Sequence, residues 1–133
     1  PPFGSRSGSF LRHKGRTDFY TTSGTSGQGK ELHACSVREI RAMEEIYRYG
    51  MTWAGLSAGD VVLLTLPITM LAGGRVEYLG AIAADLTVLP VGNYDAAMKV
   101  DHIRSFRPKA LYGSTTYFGT LANLMGEDAR QAG

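Results

Sequence analysis

Cysteine is nearly absent: Cys35 is the only one in 133 residues. One thiol excludes an internal disulfide and any structural zinc site built from several thiolates. Long apolar runs are missing too, and nothing approaches the roughly 20 residues of a membrane span. The start, Pro1-Pro2-Phe3-Gly4-Ser5, has no charged region feeding an apolar run, so no secretory signal is expected there. No repeat appears at a period of roughly 20 to 50 residues. Acids are absent from residues 1–17, where Arg6, Arg12, Lys14 and Arg16 give +4; the other ten bases and twelve acids give −2, hence the net +2. A nucleic-acid reader would carry its basic residues as a stripe with interleaved aromatics on a folded face, and that pattern is lacking. The expectation is a cytoplasmic protein with neither nucleic acid nor membrane as partner. The first residue is not Met, which leads us to expect an internal piece of a longer chain.

What is present is globular in kind: 44% hydrophobic and 20% charged residues. We expect a basic Gly/Ser-rich arm over 1–17, one α/β unit over 18–126 and a polar tail over 127–133. Within that unit, Asp18–Thr22 and Lys30–Cys35 read as short strands around a Ser23–Gly29 loop. Ser36 with Glu39 fits a capping box. The helix after it places Val37, Ile40, Met43, Ile46 and Tyr47 on one face, with Glu44 and Arg48 spaced as an ion pair and Gly55 as its stop. Val61–Leu66, closed by Pro67, is a continuous apolar run suited to a buried parallel strand. A small-residue helix over 73–84, a strand over Leu86–Leu89 and a helix over Asp95–Phe106 come next. Ala110–Tyr112 is a strand, and Ser114 caps a last helix through Met125. Alternating strands and helices predict a mostly parallel sheet with helices on its faces, a Rossmann-like layered fold. Ligands of such sheets sit beyond the carboxyl ends of the strands, which selects the loops Ser23–Gly29, Pro67–Gly74 and Gly113–Thr116.

The stretch Thr22-Ser23-Gly24-Thr25-Ser26-Gly27-Gln28-Gly29-Lys30 is the most informative. Glycines let the backbone turn its amides toward an anion, hydroxyls donate to phosphate oxygens, and Lys30 adds a positive charge. Together they suit a polyphosphate. Two motifs compete. Gly24-x-x-x-x-Gly29-Lys30 follows Walker A up to its last position, where Glu31 stands in place of the Ser or Thr that ligates magnesium. That motif also needs a helix starting at the lysine, whereas the capping signal comes at Ser36. The alternative resembles the signature of adenylate-forming enzymes, [ST]-S-G-[ST]-T-G-x-P-K, with Ser26 for the second threonine and Gly29 for the proline.

The resemblance continues in order along the chain. Pro2-Phe3-Gly4 is similar to the segment ahead of this loop in phenylacetate–CoA ligases. Gly59-Asp60-x-Val62 resembles the family's entry into a central strand, and Leu66–Gly74 the place where it builds its acyl pocket. Leu79-Gly80-Ala81 with Val88-Leu89-Pro90, Ile103–Ala110 and Gly113–Tyr117 resemble the family's next helix, strand and turn. The resemblance implies ATP-dependent activation of a carboxylic acid, aryl or similarly small, as an acyl-adenylate, then transfer to coenzyme A. It implies that Thr22, Ser23, Gly24, Thr25, Ser26, Gly27 and Lys30 hold ATP with Mg2+, with Thr25 and Lys30 the catalytic pair. It implies an acid pocket near Pro67, Met70, Gly73, Tyr112, Gly113 and Ser114. The family's adenine-gripping aromatic–Gly–x–Thr–Glu motif, ribose-binding acid and C-terminal-domain lysine are absent. The isolated chain is therefore expected to be inactive, completed by the remainder of its own domain or chain, with a homodimer as a further option; the alternatives are a P-loop-type NTPase working through Gly24–Lys30 and a non-catalytic ligand- or partner-binding fragment.

His13, His33 and His102 have no ligand spacing and read as ordinary positions; Trp53 reads as packing, and Cys35 as a small half-buried residue.

Overall fold

The computed structural model describes residues 15–22 and 32–126. Two strands open it, β1 (Thr17–Thr21) and β2 (Leu32–Ser36), followed by helix α1 (Val37–Trp53). Then come β3 (Val61–Leu64), α2 (Ala72–Ala83), β4 (Thr87–Pro90), α3 (Ala96–Phe106), β5 (Ala110–Tyr112) and α4 (Thr115–Met125). The expected elements are therefore present, with ends shifted by a residue or two. Residues 1–14 of the arm expected over 1–17, and the tail over 127–133, lie outside the described residues.

β3, β4 and β5 form a parallel sheet in the order β4-β3-β5. β3 is central, and Val62, Leu63 and Leu64 have no exposed surface. Val62 and Leu64 face a cluster with Met51, Leu56, Ala81, Ala84 and Leu86, against which Tyr78, Val88, Ala110 and Tyr112 pack. Alternation points Leu63 to the opposite face. From β3 the chain crosses to β4 on one side, and from β4 back past β3 to β5. Right-handed crossovers in these opposite senses put α2 and α3 on opposite faces of the sheet. α1 packs beside α2, and α3 beside α4.

β1 and β2 stand apart from that sheet. They pair antiparallel, Thr17 with Ser36 through Thr21 with Leu32, as a separate two-stranded sheet. A connection too short for a crossover element joins antiparallel neighbours.

Local chemistry explains the helix ends. Ser36 and Glu39 form the capping box: the Ser36 amide donates to Glu39 Oε2 at 2.7 Å, and Ser36 Oγ accepts from the Glu39 amide at 3.4 Å. α1 ends in a Schellman motif. Gly55, at φ +90, donates its amide to Thr52 and Leu56 donates to Met51, at 3.0 and 3.2 Å. α2 repeats the device with Asp85 at φ 54 in the glycine position, Asp85 donating to Ile82 and Leu86 to Ala81. In both, the two apolar residues closing the motif belong to the core cluster, so each cap also fixes packing.

Three expectations for α1 need correction. Ile46 is 67% exposed and Trp53 81% exposed, so neither packs inward. Arg48 pairs with Glu45 rather than Glu44, its Nε 2.9 Å from Glu45 Oε2. The buried stripe is Ile40 and Met51, with Met43 and Tyr47 half-buried; Ile46 and Trp53 are seven apart and share the opposite stripe.

Candidate active site at the carboxyl edge of the sheet

The chain leaves β3 toward one face of the sheet and leaves β4 toward the other. Such a divergence at the carboxyl edge is where parallel sheets bind ligands. Here the edge is knit by the backbone. The Thr65 amide donates to the Tyr112 carbonyl at 2.9 Å, and its hydroxyl donates to the same oxygen at 3.1 Å. The Val91 amide donates to the Leu64 carbonyl at 3.2 Å. Gly74 and Gly92 press onto the Leu66–Pro67 backbone so closely that a Cβ on either would overlap it. Gly113 does the same against Thr65 Oγ1.

One cation is built into this edge. Lys99 of α3 is only 4% exposed, and its Nζ donates to the Thr65 carbonyl at 3.3 Å and the Gly92 carbonyl at 3.1 Å. The same Nζ lies 4.8 Å from the centre of the Tyr117 ring on α4. This buried ammonium, with carbonyl and aromatic partners, ties the exits of β3 and β4 to α4.

The opposite charge lies on α2. Glu77 is 6% exposed, and burial pushes its carboxyl up to about 7. Its neighbours include Tyr112, whose phenol is pushed up first by burial, then by Glu77 and Tyr47. The Tyr47 and Tyr112 rings are 6.4 Å apart.

The hairpin reaches the same edge. Arg75, in the first turn of α2, places Nη2 2.8 Å from Asp18 Oδ2, donates from Nη1 to the Phe19 carbonyl at 3.0 Å, and lies 4.6 Å from the Tyr20 ring centre. The Thr21 amide donates to the Met70 carbonyl at 2.9 Å. The strand entering the Gly/Ser/Thr loop is thereby fastened to the Pro67–Gly74 segment.

Of the residues singled out from sequence, Thr22 comes directly after β1 and so lies at this junction. Ser23, Gly24, Thr25, Ser26, Gly27 and Lys30 fall outside the described residues. Pro67 and Met70 lie in an exposed loop, Met70 at 48%, with exposed Ile68 and Leu71 beside it. Gly73 faces Leu66 Cδ1, 3.2 Å from where its Cβ would be. Tyr112 is half-buried on the core cluster, Gly113 lies against Thr65, and Ser114 is exposed with its hydroxyl 2.8 Å from Thr116 Oγ1. The edge thus brings together Thr22, Pro67–Gly73 and Tyr112–Ser114. The next element along the chain is strand β2, not the helix that Walker A chemistry needs at its lysine.

Lys99, Glu77, Arg75 and Gly92 are not singled out by the sequence. Two of them carry a readable signal. Lys99 interrupts the stripe Ala96, Val100, Ile103, and Glu77 interrupts the stripe Gly73, Gly74, Gly80, Ala81, Ala84. A charge within an apolar stripe is a buried ionisable group in the making. Cys35 is half-buried with its thiol pushed up by burial first, then by Glu39 and Asp18, the reverse of an activated nucleophile. Among the described residues, no group of three or more His, Cys, Asp or Glu could hold a metal, and no helix is long and apolar enough to cross a membrane.

No protein-family model matches the chain, and no curated protein matches it in sequence. Its fold is that of a segment of the acyl-CoA ligases. It superposes on a 2-hydroxyisobutyryl-CoA ligase solved in an open conformation with 2-HIB-AMP and CoA, with a TM-score of 0.73 and 22% identity over 83% of this chain and 25% of that one. ATP-bound MatB from Rhodopseudomonas palustris matches with a TM-score of 0.61 and 20% identity, over 76% of this chain and 19% of that one. A Brucella canis acyl-CoA synthetase matches with a TM-score of 0.64 and 19% identity, over 86% of this chain and 20% of that one. The chain spans at most about a quarter of the length of these structures.

Proposed function

We propose that this chain is the phosphate-loop and acyl-pocket portion of an adenylate-forming acid–thiol ligase. A carboxylate oxygen attacks the α-phosphorus of ATP, pyrophosphate leaves, and a thiol then displaces AMP from the acyl carbon. A carboxylate is a poor electrophile, and AMP is a far better leaving group than hydroxide, so the work is positioning and stabilisation of charge on the departing pyrophosphate. The observation that carries this reading is the 2.9 Å bond from the Thr21 amide to the Met70 carbonyl, which joins the strand entering the hydroxyl-rich loop to the segment proposed to hold the acid.

In this reading Thr22, Ser23, Gly24, Thr25, Ser26, Gly27 and Lys30 cradle the β- and γ-phosphates. Thr25 and Lys30 stabilise the leaving group, and Mg2+ shares the phosphate charge. Pro67, Met70, Gly73, Tyr112, Gly113 and Ser114 line the acid site, for an aryl or similarly small acid as in phenylacetate–CoA ligases. Coenzyme A is the thiol. The rest of the domain or chain supplies the adenine and ribose contacts, and a homodimer is compatible with this reading.

The test is ATP–pyrophosphate exchange on the longest natural chain that carries this sequence, with a panel of aryl and aliphatic acids. Acid-dependent exchange is expected, falling at least about a hundredfold in Lys30→Ala, and no exchange from the isolated 133 residues. Exchange with no acid, or a Lys30→Ala variant as active as the parent, overturns the reading.

A further inference from the structure

Glu77 leaves one chemical demand unmet. Its Oε2 is buried with no hydrogen-bond partner among the described residues. A buried carboxyl oxygen that has lost water and gained nothing destabilises the fold, and folded chains seldom keep one without a use. Burial alone is the cause of its shift, with no cation among the described residues offsetting it.

Its position narrows the use. Glu77 lies six residues into α2, a helix that starts at the carboxyl edge just after Met70 and Leu71. Three residues on, Gly80 touches Tyr47 of α1, which puts the Glu77 face of α2 toward α1. Tyr112 is the last residue of β5 and pairs in register with Leu64. Glu77 therefore sits in the corner of α1, α2 and β5, beside the two tilted rings of Tyr47 and Tyr112. Both rings are half-buried, and β5 is the outer strand of the sheet among the described residues. An aromatic corner in which one buried carboxyl oxygen is left without a partner among the described residues matches the make-up of a small-molecule subsite, where a few placed polar atoms set selectivity.

We propose that Glu77 is a specificity-determining residue of the acid site, its free Oε2 accepting a hydrogen bond from a hydroxyl or ammonium group on the acyl part of the substrate. Within the aryl or similarly small acids of that reading, the substrate class is then one that carries a donor, preferred over its donor-free parent. This rests on the ligase reading above. The chemistry is asymmetric: a site built to receive a donor rejects the analogue that lacks one, because the buried acceptor stays unpaired.

The experiment compares matched acids by pyrophosphate exchange on the longest natural chain: propionate, lactate and alanine, then phenylacetate, mandelate and phenylglycine. The expected result is that kcat/KM for at least one donor-bearing acid exceeds that of its parent by about tenfold or more. In Glu77→Leu that ratio falls to about one. In Glu77→Gln, whose amide oxygen still accepts, a hydroxyl preference is largely kept and an ammonium preference is lost. That rescue separates recognition from mere packing, and Glu77→Gln keeps the test open if the leucine variant does not fold. Equal kcat/KM within both trios, or a preference unchanged in Glu77→Leu, overturns this proposal alone. Silence with every acid overturns the ligase reading and this one with it.

Discussion

Two buried charges flank the same sheet edge, and they have met opposite fates. On the α3 side, Lys99 finds two backbone carbonyls and an aromatic face. On the α2 side, Glu77 has an oxygen with no partner among the described residues. The sheet treats them alike, burying both almost completely, so burial does not separate them; satisfaction does. Lys99 is a finished fastening between chain segments. Glu77 is an unfinished one, of the kind that ligand sites keep at a cost to stability.

The sharpest way to break this contrast is to remove the satisfied partner. Lys99→Ala strands the Thr65 and Gly92 carbonyls and should lower unfolding free energy by ~3 kcal/mol, read as a lower urea midpoint. A loss below ~0.5 kcal/mol would mean that the fastening is ornamental.

The second test is at Glu77 and depends on pH. Its carboxyl titrates near 7 in the folded chain, against 4.5 ordinarily. Between those values the folded state holds a proton that the unfolded state has released. Stability from this group is thus fully present below about pH 4.5, lost as pH rises toward 7, and flat above. Glu77→Gln removes that dependence. Relative to wild type, the variant should gain ~2 kcal/mol on going from about pH 5 to about pH 8, measured by denaturant melts at both. An unchanged difference at the two pH values would mean that the carboxyl does not titrate between them.

A smaller effect is expected at the hairpin. Arg75→Lys keeps the charge but loses the fork that spans Asp18 and the Phe19 carbonyl. It should cost ~1 kcal/mol, appearing as faster amide exchange in β1 and β2 with β3 unaffected. The smallest effect is at the exposed end of α1: Trp53→Ser should stay within ~0.5 kcal/mol, whereas Met51→Ala two residues earlier should cost ~3 kcal/mol.

That last pair also shows what is legible in sequence. Every element announces itself through local signals: the Ser36–Glu39 box, the apolar run of β3, the Gly55 stop, Asp95 and Pro108 bracketing α3. Those signals are carried by neighbours along the chain. Trp53 misleads because a large aromatic suggests burial, while the helical phase puts it opposite Met51's half of the wheel. The pairing of β1 with β2 escapes the layered pattern because strand partnership is non-local, and the pattern that fits β3 to β5 does not extend to two strands lacking a crossover. At the site, the hydroxyl-rich loop and the two later loops stand out by composition. Lys99 and Glu77 do not, since a single charge in a stripe becomes meaningful only when the stripe is seen to be buried. The antiparallel pairing of β1 with β2 and the bond from Thr21 to Met70 explain how β1 joins the Pro67–Gly74 segment, and no periodicity contains that bond.

The backbone-on-backbone contact of Gly74 and Gly92 with Leu66–Pro67 bears on how this edge can vary over time. Where side chains meet side chains, one change can be compensated by another. Where an α-carbon meets a peptide group, nothing on the far side can shrink. A saturation-mutagenesis map should therefore show Gly74 and Gly92 as two narrow holes intolerant of every residue, while Ile68, Met70 and Leu71 in the adjoining loop accept many. The loop residues can drift while the frame that carries them stays fixed.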